Sequence, residues 1–298
     1  MPASHDGTRH DFHMNQQTLS PIHLTAYFER IGYTGPRIAT GDTLRALHQL
    51  HPQAIAFENF ESLLGRTPRL DLDSLVQKLV TERRGGYCFE HNLLFRAVLE
   101  TLGFETTGLA ARVLWDRPAG AMPARTHMTL LVETGEETWL ADVGFGGMTP
   151  SAPLPFETGC EQATPHETFR IALIDRGDYM LQVKLNGAWK PIYRFDLEPQ
   201  FPSDYEAANH FVSTFPDSIF ISTLMAARLA PGRRYALRNR HLTCHGAAQT
   251  NEPRELASVA ELRAALTGEF GLTLPDADGS VSSAELDALL ARLAQTAA

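Results

Sequence analysis

The sequence predicts an α+β chain in three successive parts: a helical first third, a run of antiparallel strands, and a mixed last third. Three observations support this. Apolar residues recur at helical intervals as far as Gly103. Short alternating segments bounded by turn residues begin near Thr106, and helical and strand patterns mix from near Phe211. The corresponding ranges are 1–18 as a flexible extension, 19–105 as the helical part, 106–210 as the strands and 211–298 as the mixed part.

Each element has its own signal. "SPIHLTAYFERIG" sets Ser20 as a cap, Pro21 in the first turn and Gly32 as a stop. "TGDTLRALHQLHPQ" and "LDSLVQKLVTERRGG" carry similar apolar spacing, the second expected to end on Gly85 and Gly86. "FEHNLLFRAVLETLG" runs as a helix from Cys88 to a close on Gly103. "TTGLAARVLW", "THMTLLVE", "TWLADVG", "TFRIALID", "YMLQVKL" and "WKPIYRF" read as antiparallel strands of a barrel or sandwich. In the last third "SIFISTLMAARLA" is expected to be helical and "RRYALRN" and "HLTCHG" strands. "SVAELRAALTGEFG" and "SSAELDALLARLAQ" are expected to be helices.

Composition excludes several function classes. The formal charge is −9 with scattered basic residues, which argues against a nucleic-acid groove. No apolar run reaches the roughly 18 residues of a membrane span, and "MPASHDGTRHDFHM" lacks the core of a secretory signal. Cys88, Cys160 and Cys244 form no CxxC pair and no disulfide framework, which fits a reducing cytoplasm.

Cys88 stands in "RRGGYCFEHN", after two glycines and at the start of a helix. The unpaired N–H groups of a helix N-terminus favour a thiolate, the nucleophilic form of the side chain. Gly85 and Gly86 are expected to turn with positive φ and leave room for a substrate; the plainer alternative is a buried packing cysteine. A nucleophilic thiol needs a base. His91 is the nearest by sequence but shares a helix face with Cys88, and a partner on the same helix is poorly placed to aim its ring at the sulfur.

The strands supply a better candidate. "ARTHMTLLVETGEETWLADVGFGG" reads as a hairpin, with His127, Thr129 and Leu131 on one face of its first strand. A loop at Thr134 and Gly135 puts His127 opposite Asp142. A loop at Gly135 and Glu136 puts Asp142 opposite Thr129, diagonal to His127. A three-residue loop would separate them. A carboxylate beside an imidazole orients it and helps it stay protonated next to a thiolate. A satisfied core histidine is the competing interpretation of the pair.

These residues, with "AFENFESLLGR", "ARTHMTLLV", "WLADVGFGG" and "NHFVSTFPDSIF", resemble the arylamine N-acetyltransferase family along nearly the whole chain. The order Cys, His, Asp at intervals of 39 (127−88) and 15 (142−127) agrees with it. The resemblance implies a helical N-terminal domain, an antiparallel β-barrel and an α/β lid, around a core similar to cysteine proteases and transglutaminases. It implies acetyl transfer from acetyl-CoA through an acetyl-cysteine on Cys88, with His127 moving protons and Asp142 orienting it. The acceptors implied are arylamines, arylhydrazines or hydroxyarylamines. Phe57, Val113, Phe145 and Phe220 would wall the aromatic site, and Gly144, Gly146, Gly147 and Thr149 of "GFGGMT" would border CoA. No metal is implied, and the protein is expected to be a monomer or homodimer. Two departures from the family pattern are Phe89, where Tyr is frequent, and Phe215, where His is expected. A hydrolase on the same triad and a non-catalytic binding module are the rival functions.

Weaker signals remain. Arg233, Arg234, Arg238 and Arg240 read as a solvated strand face, with CoA phosphates as the alternative. His241, Cys244 and His245 lack a fourth metal ligand. "DADGSVSSAE" echoes a calcium loop but has Leu274 where the first ligand belongs, so it reads as a capped approach to the last helix.

Overall fold

Ser20 opens the helical layer: its hydroxyl accepts the His23 N–H, Pro21 occupies the first turn, and left-handed Gly32 closes α1 (Pro21–Ile31). Thr40 caps α2 (Gly41–Ala54) in the same way. The computed structural model describes residues 18–135, 137–175, 177–246, 249–250, 253–274 and 283–295. The proposed N-terminal extension, apart from residue 18, and most of "DADGSVSSAE" lie outside them.

The chain then forms the short strand β1 (Phe57–Glu58) and the single turn α3 (Phe60–Leu63). Asp71 caps α4 (Leu72–Leu75), which continues as a π-helical segment over Val76–Thr81. The helix expected to reach Gly85 and Gly86 therefore ends earlier. The positive φ expected of those glycines belongs to Arg83, at 54°.

Gly85 and Gly86 serve close backbone approach instead. A Cβ on Gly85 would stand 2.1 Å from the Ala56 carbonyl oxygen. The Glu58 N–H donates to the Gly86 carbonyl at 2.8 Å, and the Gly86 N–H to that of Ala56 at 3.3 Å. At Gly85 the clearance is for the backbone leading into β1, and at Gly86 a Cβ would meet the Glu90 side chain 2.8 Å away. This seam delivers the chain to α5 (Cys88–Thr101).

Eight strands follow: β2 (Glu105–Val113), β3 (Arg125–Thr134), β4 (Glu137–Ala141), β5 (Leu154–Pro155), β6 (Gln162–Ala163), β7 (Thr168–Asp175), β8 (Asp178–Leu185) and β9 (Ala188–Phe195). They form one antiparallel sheet in the order β5-β4-β3-β2-β9-β8-β7-β6, curled into a nearly closed barrel. Alternation divides β3 between two cores. Met128, Leu130 and Val132 join the helical core with Leu94, Phe95 and Val98 of α5. The barrel core collects Leu109, Phe169, Ile171, Leu181, Val183 and Ile192.

The helix α6 (Pro202–Thr214) starts the last part of the chain and is followed by the single turn α7 (Ile219–Ser222). Next come β10 (Met225–Ala230), β11 (Arg233–Arg238), β12 (His241–Gly246), β13 (Gln249–Thr250) and β14 (Arg254–Glu255). The helices α8 (Val259–Gly268) and α9 (Ser283–Gln295) close the chain. The expected helix "SIFISTLMAARLA" is thus one helical turn followed by a strand. Its Ala, Leu and Met favour helix, but β10 fills the place between β1 and β11, and that pairing outweighs propensity. Beneath this sheet Leu262, Leu266, Phe270, Leu286 and Leu290 pack on Phe60 and Leu63. Among the described residues no helix is long and apolar enough to cross a membrane.

Candidate active site

Helix α5 brings Cys88 and Asn92, one turn apart, to the face that meets the end of the β3–β4 hairpin. That hairpin closes on the pair Thr134–Glu137 and ends with Leu130–Ala141, the second of the two predicted registers. Asp142 is the first residue past β4. Its Oδ2 lies 2.7 Å from His127 Nε2, and both side chains are buried. This leaves Nδ1 of the ring for the Cys88 sulfur, which also acts on the imidazole. Cys88 is 3% exposed, and its thiol reaches the Thr126 carbonyl at 3.7 Å.

The electrostatics favour a charged ring. Burial pushes the His127 pKa down, but the Asp142 carboxylate, its hydrogen bond and the nearby sulfur outweigh this and raise it to about 10. Burial pushes Asp142 up; His127, the Asn92 amide at 3.0 Å and the Gly144 N–H at 3.0 Å hold it below the usual carboxylate range. Asn92 is fully engaged, donating also to the Met128 carbonyl at 2.8 Å and accepting the Val143 N–H at 3.1 Å.

The segment that follows Asp142 runs along the site. A Cβ on Gly144 would come within 3.0 Å of Cys88 Cα, and one on Gly146, at φ 87°, within 3.4 Å of the Phe57 ring. The Gly146 N–H donates to Thr149 Oγ1, while Gly147 faces open space. Phe145 sets its ring 5.2 Å from His127 and 5.7 Å from Tyr193. Val113 is the strand partner of Tyr193. Phe57 and Phe220 meet at 6.4 Å on the side of the helices and lid. These four residues thus fall into two groups, Phe145 and Val113 next to Tyr193, and Phe57 with Phe220.

Three further residues take structural places. His91 is buried packing: its Nδ1 meets His51 Nε2 at 2.9 Å and its ring stacks on Phe57. Phe215 stacks on Phe211 at 4.7 Å, and both are exposed. Arg234 is not part of a solvated face. It is buried, paired with Glu167 at 2.7 Å and donating to the Thr149 carbonyl at 3.0 Å, whereas Arg233 and Arg238, at the two ends of β11, are exposed.

Sequence reasoning missed Asn92, Tyr193 and His48. Asn92 had a signal, standing four residues after Cys88 on the same helix face. Tyr193 is buried 5.0 Å from His127 and within reach of Thr129. Nothing local to "LRALHQLHPQ" marks His48.

A buried thiol at a helix start, beside an imidazole held by a carboxylate, equips a fold for acyl chemistry on sulfur. Comparison with known proteins narrows the class. The N-acetyltransferase family model matches residues 40–278. The arylamine N-acetyltransferase of Escherichia coli (strain K12) is 42% identical over 274 residues, covering 92% of this chain and 96% of its own. The arylamine N-acetyltransferase / N-hydroxyarylamine O-acetyltransferase of Salmonella typhimurium is 38% identical, covering 90% of this chain and 95% of its own. A solved structure of Mycobacterium marinum arylamine N-acetyltransferase in complex with CoA superposes with a TM-score of 0.84 at 39% identity. It covers 91% of this chain and 99% of that one. This chain belongs to the arylamine N-acetyltransferase family.

Proposed function

We propose that this protein transfers acetyl groups from acetyl-CoA to arylamines and arylhydrazines, and to hydroxyarylamines, by a ping-pong mechanism through acetylated Cys88. The observation that carries this reading is the buried His127–Asp142 pair beside Cys88 at the start of α5. In the first half-reaction the Cys88 thiolate attacks the thioester carbonyl. The tetrahedral intermediate collapses to acetyl-Cys88 and CoA thiolate, which takes a proton from the His127 imidazolium. In the second, the amine attacks the acetyl carbon and His127 accepts the proton it loses. Collapse then releases the amide and restores the thiolate. Asp142 keeps the ring oriented and favours its charged form throughout. Backbone N–H groups near Cys88, at the start of α5, serve the developing oxyanion.

Phe57 with Phe220, and Phe145 with Val113, provide the apolar wall for an aromatic acceptor. In the loop from Gly144 to Thr149, the Gly144 and Gly146 amides are already engaged by Asp142 and Thr149. The open surface at Gly147 is therefore the part of the loop free to border CoA. The reaction needs no metal, and a reducing cytoplasm keeps the thiol available.

The test is to mix the protein with acetyl-CoA alone and then with an aniline or hydrazine. Acetyl-Cys88 seen by mass spectrometry, followed by acetylated amine and stoichiometric CoA, is expected, and Cys88→Ala should abolish both. CoA-independent amide cleavage would instead support a hydrolase. Turnover by Cys88→Ala would mean that another group is the nucleophile.

A further inference from the structure

The backbone of Asp142 has an anchor that the reaction scheme does not use. The last pair of the β3–β4 ladder is Leu130–Ala141, so the Asp142 N–H lies just past it and has no strand partner there. It donates instead to Nε2 of His48, 3.1 Å away on α2. His48 is fully buried, with its ring edge-on to Phe95. A backbone N–H can only donate, so Nε2 must hold a lone pair and the ring proton must sit on Nδ1. That Nδ1 is buried with no hydrogen-bond partner of its own. A buried donor without a partner is costly, so the arrangement has to be maintained by the bond made at the other nitrogen.

We propose that His48 is a positioning residue of the triad: as the neutral Nδ1–H tautomer it accepts the Asp142 amide and thereby sets the carboxylate against His127. This rests on the assignment of Cys88, His127 and Asp142 above. The side chain of Asp142 is held by Asn92, Gly144 and His127, but those bonds fix the carboxylate only if the Cα beneath it is also fixed. Asp142 stands where a strand gives way to a loop, and at that point α2 supplies the missing acceptor. The titratable groups acting on His48 are Asp142 from the barrel side and His51 on its own helix. Burial, the largest influence, keeps the ring neutral well into the acid range.

Two measurements test the proposal, and neither depends on acetyl transfer. The first follows the rate of Cys88 alkylation by iodoacetamide against pH, which reports the thiolate–imidazolium pair. His48→Leu removes the acceptor and should lower the rate near neutrality by about tenfold, moving the rise of the profile to higher pH. His48→Gln, which offers a side-chain oxygen, should recover most of the rate. A His48→Leu profile that overlays the wild type overturns the proposal, as does a His48→Gln enzyme that folds but reacts as slowly as His48→Leu. The second measurement needs no variant and holds even if His48→Leu does not fold. Nitrogen NMR of the histidine-labelled protein should show His48 protonated on Nδ1 and bare on Nε2, and the opposite tautomer overturns the proposal. If wild-type Cys88 itself alkylates no faster than an ordinary thiol, the triad assignment fails. If it alkylates fast and is indifferent to His48, only the role of His48 fails.

Discussion

His127 and His91 are both buried to within 3% of full enclosure, yet their surroundings push their charge in opposite directions. Burial lowers the pKa of His91 to about 4, and its neighbours, His51 and the Ala56 carbonyl, do not offset that. His127 suffers the same burial, but Asp142 at 2.7 Å raises it to about 10. The lesson is that enclosure alone discharges an imidazole, and a carboxylate partner reverses the outcome. The chain thus keeps one group of neutral histidines, His48, His51 and His91, as packing and hydrogen-bonding elements on α2 and α5. It keeps a charged histidine, His127, beside the Cys88 sulfur.

The comparison can be broken most directly at Asp142. Asp142→Asn keeps the shape but removes the charge, so His127 should behave like His91. By analogy with the same change in serine enzymes, turnover should fall on the order of 10³-fold or more. The alkylation rate of Cys88 at neutral pH should fall with it. Unchanged alkylation would mean that Asp142 does not set the charge on His127.

A second variant asks whether other buried charges obey the same rule. Lys78 Nζ lies 2.7 Å from Glu90, and Arg84 pairs with Glu58 at 2.9 Å, all beside the loop that carries Cys88. Lys78→Met strands the Glu90 carboxylate and should cost about 3 kcal/mol in denaturant unfolding. A cost under about 1 kcal/mol would show that Glu90 finds another partner or a proton.

The pH dependence of stability should carry opposite signs for the two kinds of histidine. His91 in the unfolded chain takes a proton near pH 6.5, whereas in the fold it does so only near 4. Between those values the unfolded state binds the extra proton, so stability falls as pH drops. His127 contributes stability that is complete below about pH 6.5 and is lost as pH rises toward its folded value near 10. His91→Phe should therefore remove about 1.4 kcal/mol per pH unit from the acid-side slope. Urea midpoints measured from pH 4 to 7 would check it, and an unchanged slope would contradict the neutral assignment. The smallest effect is expected at the surface. Arg69 and Asp71 pair at 3.0 Å, but Arg69 is 76% exposed, and Arg69→Ala should change stability by less than about 0.5 kcal/mol.

Much of the site was legible because it depends on short-range rules. The alternation of "THMTLLVE" and a tight turn bring His127 and Asp142 onto one face, and the register found was one of the two foreseen. Asn92 was missed, although the helix geometry that places Cys88 puts it one turn further on the same face. His48 was not legible, since its role depends on α2 packing against a strand end 94 positions away. The glycine pair was misread because a glycine needed for backbone contact cannot be told by sequence from one needed for positive φ. β10 was misread because its propensity is helical and its environment is not.

Strand β1 is only two residues long, yet it bonds to Gly86 on one side and to Ala226 and Ala227 of β10 on the other. A growing polypeptide that has just passed Asp142 already contains the thiol, the imidazole and the carboxylate. It still lacks the neighbour that fixes one edge of β1, and with it the loop leading to Cys88. The loop before Cys88 is thus keyed to a segment synthesised more than eighty residues after Asp142 (226−142). Truncated products cannot complete that seam, so the order of synthesis itself delays the setting of the loop that carries the thiol.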